Sequence, residues 1–237
     1  MKIIENLCLI ENYYNELKMS NFFSEDVKKH IKVFEFERNE YLCTEGEDMP
    51  YFTFLIEGKA KVFKTLPNGK NLLLSFYKPL QVIGDIEVVK KQPASSTIQA
   101  LSDCYCLGIS MEKVRNELIK DSKFLKFICE SLAEKLSTIS TNSSVNLLYP
   151  LENRLASYIN EASEVVNPEN CKAYIDFVDN LVNLAELLGS SYRHLLRTFN
   201  GLCQKKVIEK DKFGYRVIDK LLLEKLAGDL YQNSKFL

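Results

Sequence analysis

The stretch Leu184–Phe199, LAELLGSSYRHLLRTF, places two apolar helical segments around one glycine and two serines. Either two core helices meet at a tight corner, or a helix-turn-helix is built to enter a DNA groove. Counting from Leu181, the fifth residue is Ala185, the ninth Gly189 and the fifteenth Leu195. Each slot has a steric purpose in a helix-turn-helix. The small residue lets the helices approach. The glycine supplies the left-handed conformation that ends the first helix. The later aliphatic residue packs the second helix back on the first. Ser190 and Ser191 are placed to cap the second helix, and Asn180 the first. An arbitrary helix pair fills all three slots only occasionally.

The residues after the motif strengthen it. VIEKDKFGYRVID, residues 207–219, reads as a hairpin with its turn near Phe213-Gly214, which makes a winged version of the motif. Asp219 then caps a terminal helix to about Leu230. The formal net charge is −1, so nothing global attracts a polyanion. Between Glu186 and Arg216, however, seven Lys/Arg stand against three acids. Such a local patch suits phosphate binding. If the second helix enters the major groove, Ser190, Ser191, Tyr192, Arg193 and Arg197 face base edges. Arg193 and Arg197 are four apart, hence on one face, and either suits bidentate contact to guanine. Lys205 and Lys206, near the helix end, are expected at the phosphate backbone.

Upstream, residues 33–109 read as short strands: VFEFE, YFTFLIEG, KAKVFKTL, NLLLSFY and STIQAL. Gly46, Gly58, Gly69 and Gly84 punctuate them at spacings of 12, 11 and 15, as in a sandwich or barrel. Asn68-Gly69 predicts a type I′ hairpin. Lys90 and Lys91 fall in an intervening loop. Ser110 caps a short helix to about Ile119. A long helix comes next, Asp121 to Leu148, with Leu125, Ile128, Leu132, Leu136, Ile139 and Leu147 on one stripe and Ser143 filling a slot. A helix this long outruns a small sandwich, so the stripe is expected to pair with a second copy of the chain. Tyr149-Pro150 interrupts it, proline being comfortable at a helix start and hostile inside. A further helix is expected from Pro150 to about Ser163, NPENCK as a loop and AYIDFV as a short strand.

Composition narrows the function. The chain has 237 residues, 46% of them hydrophobic and 27% charged, an ordinary globular balance. No apolar run approaches the ~20 residues of a membrane span. Glu5 and Glu11 break up the apolar start, which argues against a secretory signal. A cytoplasmic location is expected. Seven scattered cysteines, at 8, 43, 104, 106, 129, 171 and 203, do not make a disulfide framework or an iron–sulfur cluster site. Cys104 and Cys106 share one face of a strand and read as core thiols. Two histidines, His30 and His194, are too few for a multi-histidine metal site. No cofactor is expected, and no nucleophile, base and phosphate loop come together as an enzyme would need.

The order of these parts resembles the Crp/Fnr family of bacterial transcription regulators. TEGEDMPYFTFLIEGKAKVFK, VIGDIEVV, LENRLASYI and LAELLGSSYRHLLRTFNGLCQKKVI carry the likeness along most of the chain. The resemblance implies an α+β chain. It would comprise an N-terminal β-roll (a double-stranded jelly roll, cyclic-nucleotide-binding-like) with an N-terminal helix over residues 1–120. A long dimerisation helix would span 121–149 and a winged helix-turn-helix DNA-binding domain 150–237. It also implies a homodimer on inverted-repeat double-stranded DNA, often recruiting RNA polymerase, and no membrane. Cyclic-AMP-binding members carry Gly-Glu and, about ten residues on, Arg-Ser. Here Gly84 matches, Asp85 replaces the glutamate, and Ser95-Ser96-Thr97 stands where Arg-Ser belongs. The lost guanidinium clamp is one that a serine hydroxyl does not replace. The Thr-Ser pair offered to adenine reads Ile139-Ser140. Both departures argue against cyclic AMP and leave Gly84, Asp85, Ser95, Ser96, Thr97, Ile139 and Ser140 as a candidate pocket for an unidentified small-molecule effector. The alternatives are a thiol-responsive regulator of the same fold, acting through Cys104, Cys106 or Cys8, and an interaction module that does not bind DNA.

Overall fold

The computed structural model describes residues 1–4, 6–167, 172–175, 181–211, 214–228 and 230. The chain divides into two compact units, one built mainly on Met1–Lys64 and Phe76–Thr138, the other on Thr65–Ser75 and Ile139–Asn233.

The N-terminal elements run β1 (Lys2–Ile4), α1 (Leu7–Glu16), β2 (Ile31–Phe36), β3 (Tyr41–Cys43), β4 (Tyr51–Glu57), β5 (Ala60–Thr65), β6 (Asn71–Tyr77) and β7 (Val82–Ile83). Next come α2 (Asp85–Lys90), β8 (Thr97–Ala100), β9 (Cys104–Ser110), α3 (Met111–Asn116) and α4 (Ser122–Leu148). The strands form two sheets, ordered β1-β2-β9-β4-β7 and β3-β8-β5-β6. Alternation along β4 shows the logic. Phe52, Phe54 and Ile56 join a helix-side core with Ile31, Val33, Leu107 and Ile109. Leu55, on the opposite face, is also fully buried, as are Phe34, Cys104 and Cys106. The helix-side core is rich in aromatic pairs. Phe124 of α4 stacks on Phe23 at 5.4 Å and meets Phe52 edge-on at 5.5 Å, while Phe127 stacks on Phe22 at 4.3 Å. Such pairs add to what burial alone supplies and anchor the first turns of α4. Asp121 starts α4 by accepting from the Lys123 backbone N–H at 2.9 Å, and Ser24 donates to it twice, at 2.6 and 2.7 Å.

Two local expectations need correcting. Asn68 does not take the positive φ that a type I′ turn requires of both central residues; only Gly69 does, at +79°. The Gly69 N–H bonds back to the Leu66 carbonyl at 2.8 Å, and Leu66 and Lys70 close the hairpin at 2.7 Å. Pro67 sets the first central residue of a type I turn, Asn68 takes the second, and the glycine becomes the bulge. Lys90 and Lys91 do not lie in a loop. Lys90 ends the short helix α2, and Lys91 caps it with φ +53°.

α4 carries two apolar faces rather than one stripe. Phe124, Phe127, Ile128 and Val145 are buried. Leu125, Leu136, Ile139 and Leu147 are exposed, Leu136 at 72% and Leu147 at 83%. Ile128 therefore belongs to the core, and Cys129 takes its place in the exposed row.

The second unit continues with α5 (Leu151–Ala162), β10 (Glu164–Asn167), β11 (Lys172–Ile175), α6 (Leu181–Leu187), α7 (Tyr192–Gln204), β12 (Ile208–Asp211), β13 (Gly214–Val217) and α8 (Lys220–Ala227). Pro150 is the cap of α5 rather than its first residue. The strands form one antiparallel sheet, β10-β11-β13-β12, in which Glu209 faces Arg216 and Lys210 faces Tyr215. β10 is a strand the sequence did not predict. Asn180, Phe213 and most of the NPENCK segment lie outside the described residues, as does the end of AYIDFV. α8 starts on Asp219, whose carboxylate accepts from the Leu222 N–H at 2.8 Å, and stops at Ala227, short of Leu230.

Candidate functional site

The corner between α6 and α7 is built by backbone bonds. The Ser190 N–H reaches back to the Ala185 carbonyl at 2.8 Å, and the Gly189 N–H to Glu186 at 2.8 Å. This is the paired pattern of a helix ended by a left-handed residue, and Gly189 supplies it with φ +59°. Ser191 caps α7, its hydroxyl accepting from the His194 N–H at 3.3 Å. Ser190 Oγ sits 3.3 Å from the His194 ring nitrogen Nδ1. Ala185, Leu195, Phe199 and Leu202 are buried, so the three slots read from sequence do close the helix pair. Arg154 of α5 donates to the Leu188 carbonyl and holds the corner from behind.

The opposite face of α7 is open. Ser191, Tyr192, Arg193, His194, Arg197, Asn200 and Gln204 are exposed, and Ser190 is half-buried. Arg193, Arg197, Asn200 and Gln204 are separated by steps of four, three and four, so they share one row. Among the described residues no ion pair holds Arg193 or Arg197. Asn200 and Gln204 carry side-chain amides of the kind that read adenine. The sequence reading missed them, although the step count from Arg193 reaches both. Lys205 is exposed but bonded to both carboxylate oxygens of Glu152, at 2.6 and 2.8 Å. Lys206 is exposed at φ +59°, just past the helix end. In the wing, Arg216 bonds Glu209 at 2.6 Å.

The expected effector segment lies in the first unit, apart from Ile139 and Ser140. Gly84 caps α2 with φ +106°. Asp85 is 1% exposed. It accepts from Ser131 Oγ at 2.8 Å and from Lys135 Nζ at 2.6 Å, both on α4. The Ser95 N–H is taken by the buried Glu87 carboxylate at 2.8 Å. Thr97 Oγ1 accepts from the Glu45 N–H at 3.0 Å, and the Ser96 carbonyl from Cys43 Sγ at 3.6 Å. Ile139 and Ser140 are exposed further along α4. The pocket reading missed Lys135 and Ser131, because pairs with Asp85 across about fifty residues leave no local signal, and it missed Glu87, eight residues before Ser95.

Burial pushes the Cys43 thiol up to about 12 and Cys104 to about 11, and it raises Cys106 further. Thiols held protonated are poor nucleophiles, and Cys104 and Cys106 are both buried in the core. The described cysteines are free.

Comparison with known proteins agrees with this architecture. Residues 33–121 match the cyclic nucleotide-binding domain. The chain is 29% identical to the regulatory protein YeiL of Escherichia coli O157:H7 over 94% of its own length and 97% of that protein. A Crp/Fnr-family transcriptional regulator from Eubacterium rectale superposes with a TM-score of 0.67, 14% identity and coverage of 94% and 99%. A CRP-family regulator from Thermus thermophilus superposes with a TM-score of 0.66, 18% identity and coverage of 85% and 100%. The likeness read from the sequence is borne out: residues 33–121 form a cyclic nucleotide-binding domain, and with the long helix and C-terminal helices the chain has the fold of the Crp/Fnr regulators it resembles. Among the described residues no helix is long and apolar enough to cross a membrane.

Proposed function

We propose that the chain is a homodimeric, sequence-specific DNA-binding transcription regulator working in the cytoplasm. The observation that carries this reading is the open face of α7. A capped helix, set by the Gly189 corner, presents Tyr192, Arg193 and Arg197 to solvent with both guanidinium groups unpaired by any described carboxylate. Ser190, Ser191, Tyr192, Arg193 and Arg197 read base edges in the major groove, and Lys205 and Lys206 lie toward the backbone. The exposed row Leu125, Cys129, Leu136, Ile139 and Leu147 on α4 pairs with the same row of a second copy, which places two α7 helices on an inverted repeat. RNA polymerase is the expected protein partner.

The proposed division is a sensor over residues 1–120, a dimer helix over 121–149 and a DNA-binding domain over 150–237. The proposed input site of the sensor is the Gly84–Asp85 and Ser95–Thr97 region, with Ile139 and Ser140 on the dimer helix. An effector, if one acts there, shifts the population of α4 arrangements and so the spacing of the two α7 helices.

The test uses an operator selected from random duplexes. Arg197→Ala is expected to cut the preference for that operator over unrelated DNA by about 1–3 kcal/mol, read by fluorescence anisotropy. The dimer stays intact in sedimentation. Unchanged preference removes Arg197 from the reading surface, and failure to select any duplex overturns the function.

A further inference from the structure

The cluster around Asp85 explains what stands in for an effector. The Lys135 ammonium has three protons to place. One goes to Asp85 Oδ1 at 2.6 Å and one to the Val82 carbonyl at 2.8 Å. The ammonium also lies over the Tyr77 ring, 5.1 Å from its centroid. Its side chain is only 12% exposed. Ser131, one turn earlier on the same face of α4, donates to the other oxygen of Asp85. α4 is therefore bonded directly to both sides of Gly84, through Val82 and Asp85. Asp85 Oδ1 also accepts from the Ile86 N–H at 3.0 Å. Its carboxylate thus holds three donors of its own chain, which leaves little acceptor capacity for a ligand hydroxyl.

The neighbouring donor is occupied as well. The Ser95 N–H, at the position where an incoming anion would find a partner, carries the Glu87 carboxylate instead. Glu87 is 5% exposed, so its charge is fixed inside the unit. An anionic phosphate brought to Ser95 would lose that bond and meet a like charge in a low-dielectric setting. Burial pulls the Lys135 ammonium down, and Tyr77 and Asp85 more than reverse this, which favours its charged form.

We propose that Lys135 is a built-in ligand of the sensor: with Ser131 it takes the Asp85 carboxylate and fixes α4 to the segment around Gly84 without a small molecule, while Glu87 closes the neighbouring amide to anions. Lys135 is thus a positioning residue, and the sensor is insensitive to cyclic nucleotides. This inference rests on the regulator reading only for its consequence at DNA. The tether itself is tested without DNA.

The experiment compares wild type, Lys135→Met and the double variant Asp85→Asn/Lys135→Met in the full chain. Hydrogen exchange of α4 residues 131–138 is read by mass spectrometry. Titration calorimetry uses cyclic AMP, cyclic GMP and inorganic phosphate as probes. Wild type is expected to bind none of the three up to about 1 mM. Lys135→Met leaves a buried carboxylate unpaired and should speed exchange in residues 131–138 and in α2 by about tenfold or more. The double variant, with neither charge, should recover most of that protection. If Lys135→Met does not fold and the double variant does, the pair is the cause and the proposal holds. Unchanged exchange in Lys135→Met, or saturable binding of a cyclic nucleotide by wild type, overturns it. A tether that passes while no operator can be selected sinks the DNA reading alone.

Discussion

The Phe199 ring lies stacked on Tyr215, with 4.6 Å between centroids and 28° between planes. This contact joins helix α7 to strand β13. Phe199 is fully buried and Tyr215 nearly so. Phe199→Ala removes the ring from a packed core, and the expected loss is about 3–5 kcal/mol. Thermal unfolding checks it, and DNA binding should vanish with the C-terminal transition. A variant that keeps wild-type stability would show that α7 does not depend on the wing.

Leu136 is a second lever, because it is exposed. Leu136→Glu should leave the stability of the isolated chain within about 0.5 kcal/mol of wild type. It should convert a dimer to a monomer in analytical ultracentrifugation, since a carboxylate in a paired apolar seam is left desolvated. A variant still dimeric at the same concentration would place the interface elsewhere.

Gly189→Ala isolates backbone strain from packing. A methyl group there would make only ordinary van der Waals contacts, with Arg154 Nη1 at 3.8 Å and Leu72 Cδ1 at 3.9 Å. The cost is that of a left-handed residue with a side chain, about 1–2 kcal/mol. Denaturant unfolding measures it. A loss above that range would mean that the corner shifts rather than strains.

Acid should loosen the start of α4. Burial would raise the Asp121 carboxyl, but the Ser24 and Lys123 donors outweigh it and hold it below the ordinary value. A carboxyl depressed in the folded state contributes above its unfolded value, near 3.9, and loses that contribution as pH falls through the folded value. Asp121→Asn should therefore cost about 1 kcal/mol at neutral pH, with the gap to wild type closing as pH falls below the ordinary carboxyl range. A gap that does not vary with pH would assign the effect to the amide geometry instead of the charge.

The legible parts of this chain are the ones whose cause is local. The α6–α7 corner needs a small residue, a left-handed glycine and a capping serine within seven positions, and all three act on their immediate neighbours. The start of α3 at Ser110 and of α8 at Asp219 are side-chain caps of the same kind. What failed was set at a distance. β10 holds only two valines and exists because β11 pairs with it. α2 begins on a left-handed glycine with no side-chain cap, so Lys90 and Lys91 at its end resembled a loop. Ile128 and Cys129 are adjacent, and only the fold decides which faces inward. The Asp85–Lys135 pair joins elements that share no sequence signal.

Two carboxylates beside the proposed DNA-binding surface have a consequence for ionic conditions. Glu152 already grips Lys205, and Glu209 grips Arg216. A phosphate arriving at either cation must evict a carboxylate, trading one anion for another, and sets free fewer condensed counterions than an unpaired cation would. The dependence of affinity on electrolyte should then be shallower than a tally of basic residues suggests. In the proposed complex the balance would shift from general adhesion toward discrimination, concentrated on Arg193 and Arg197, which no described carboxylate pairs.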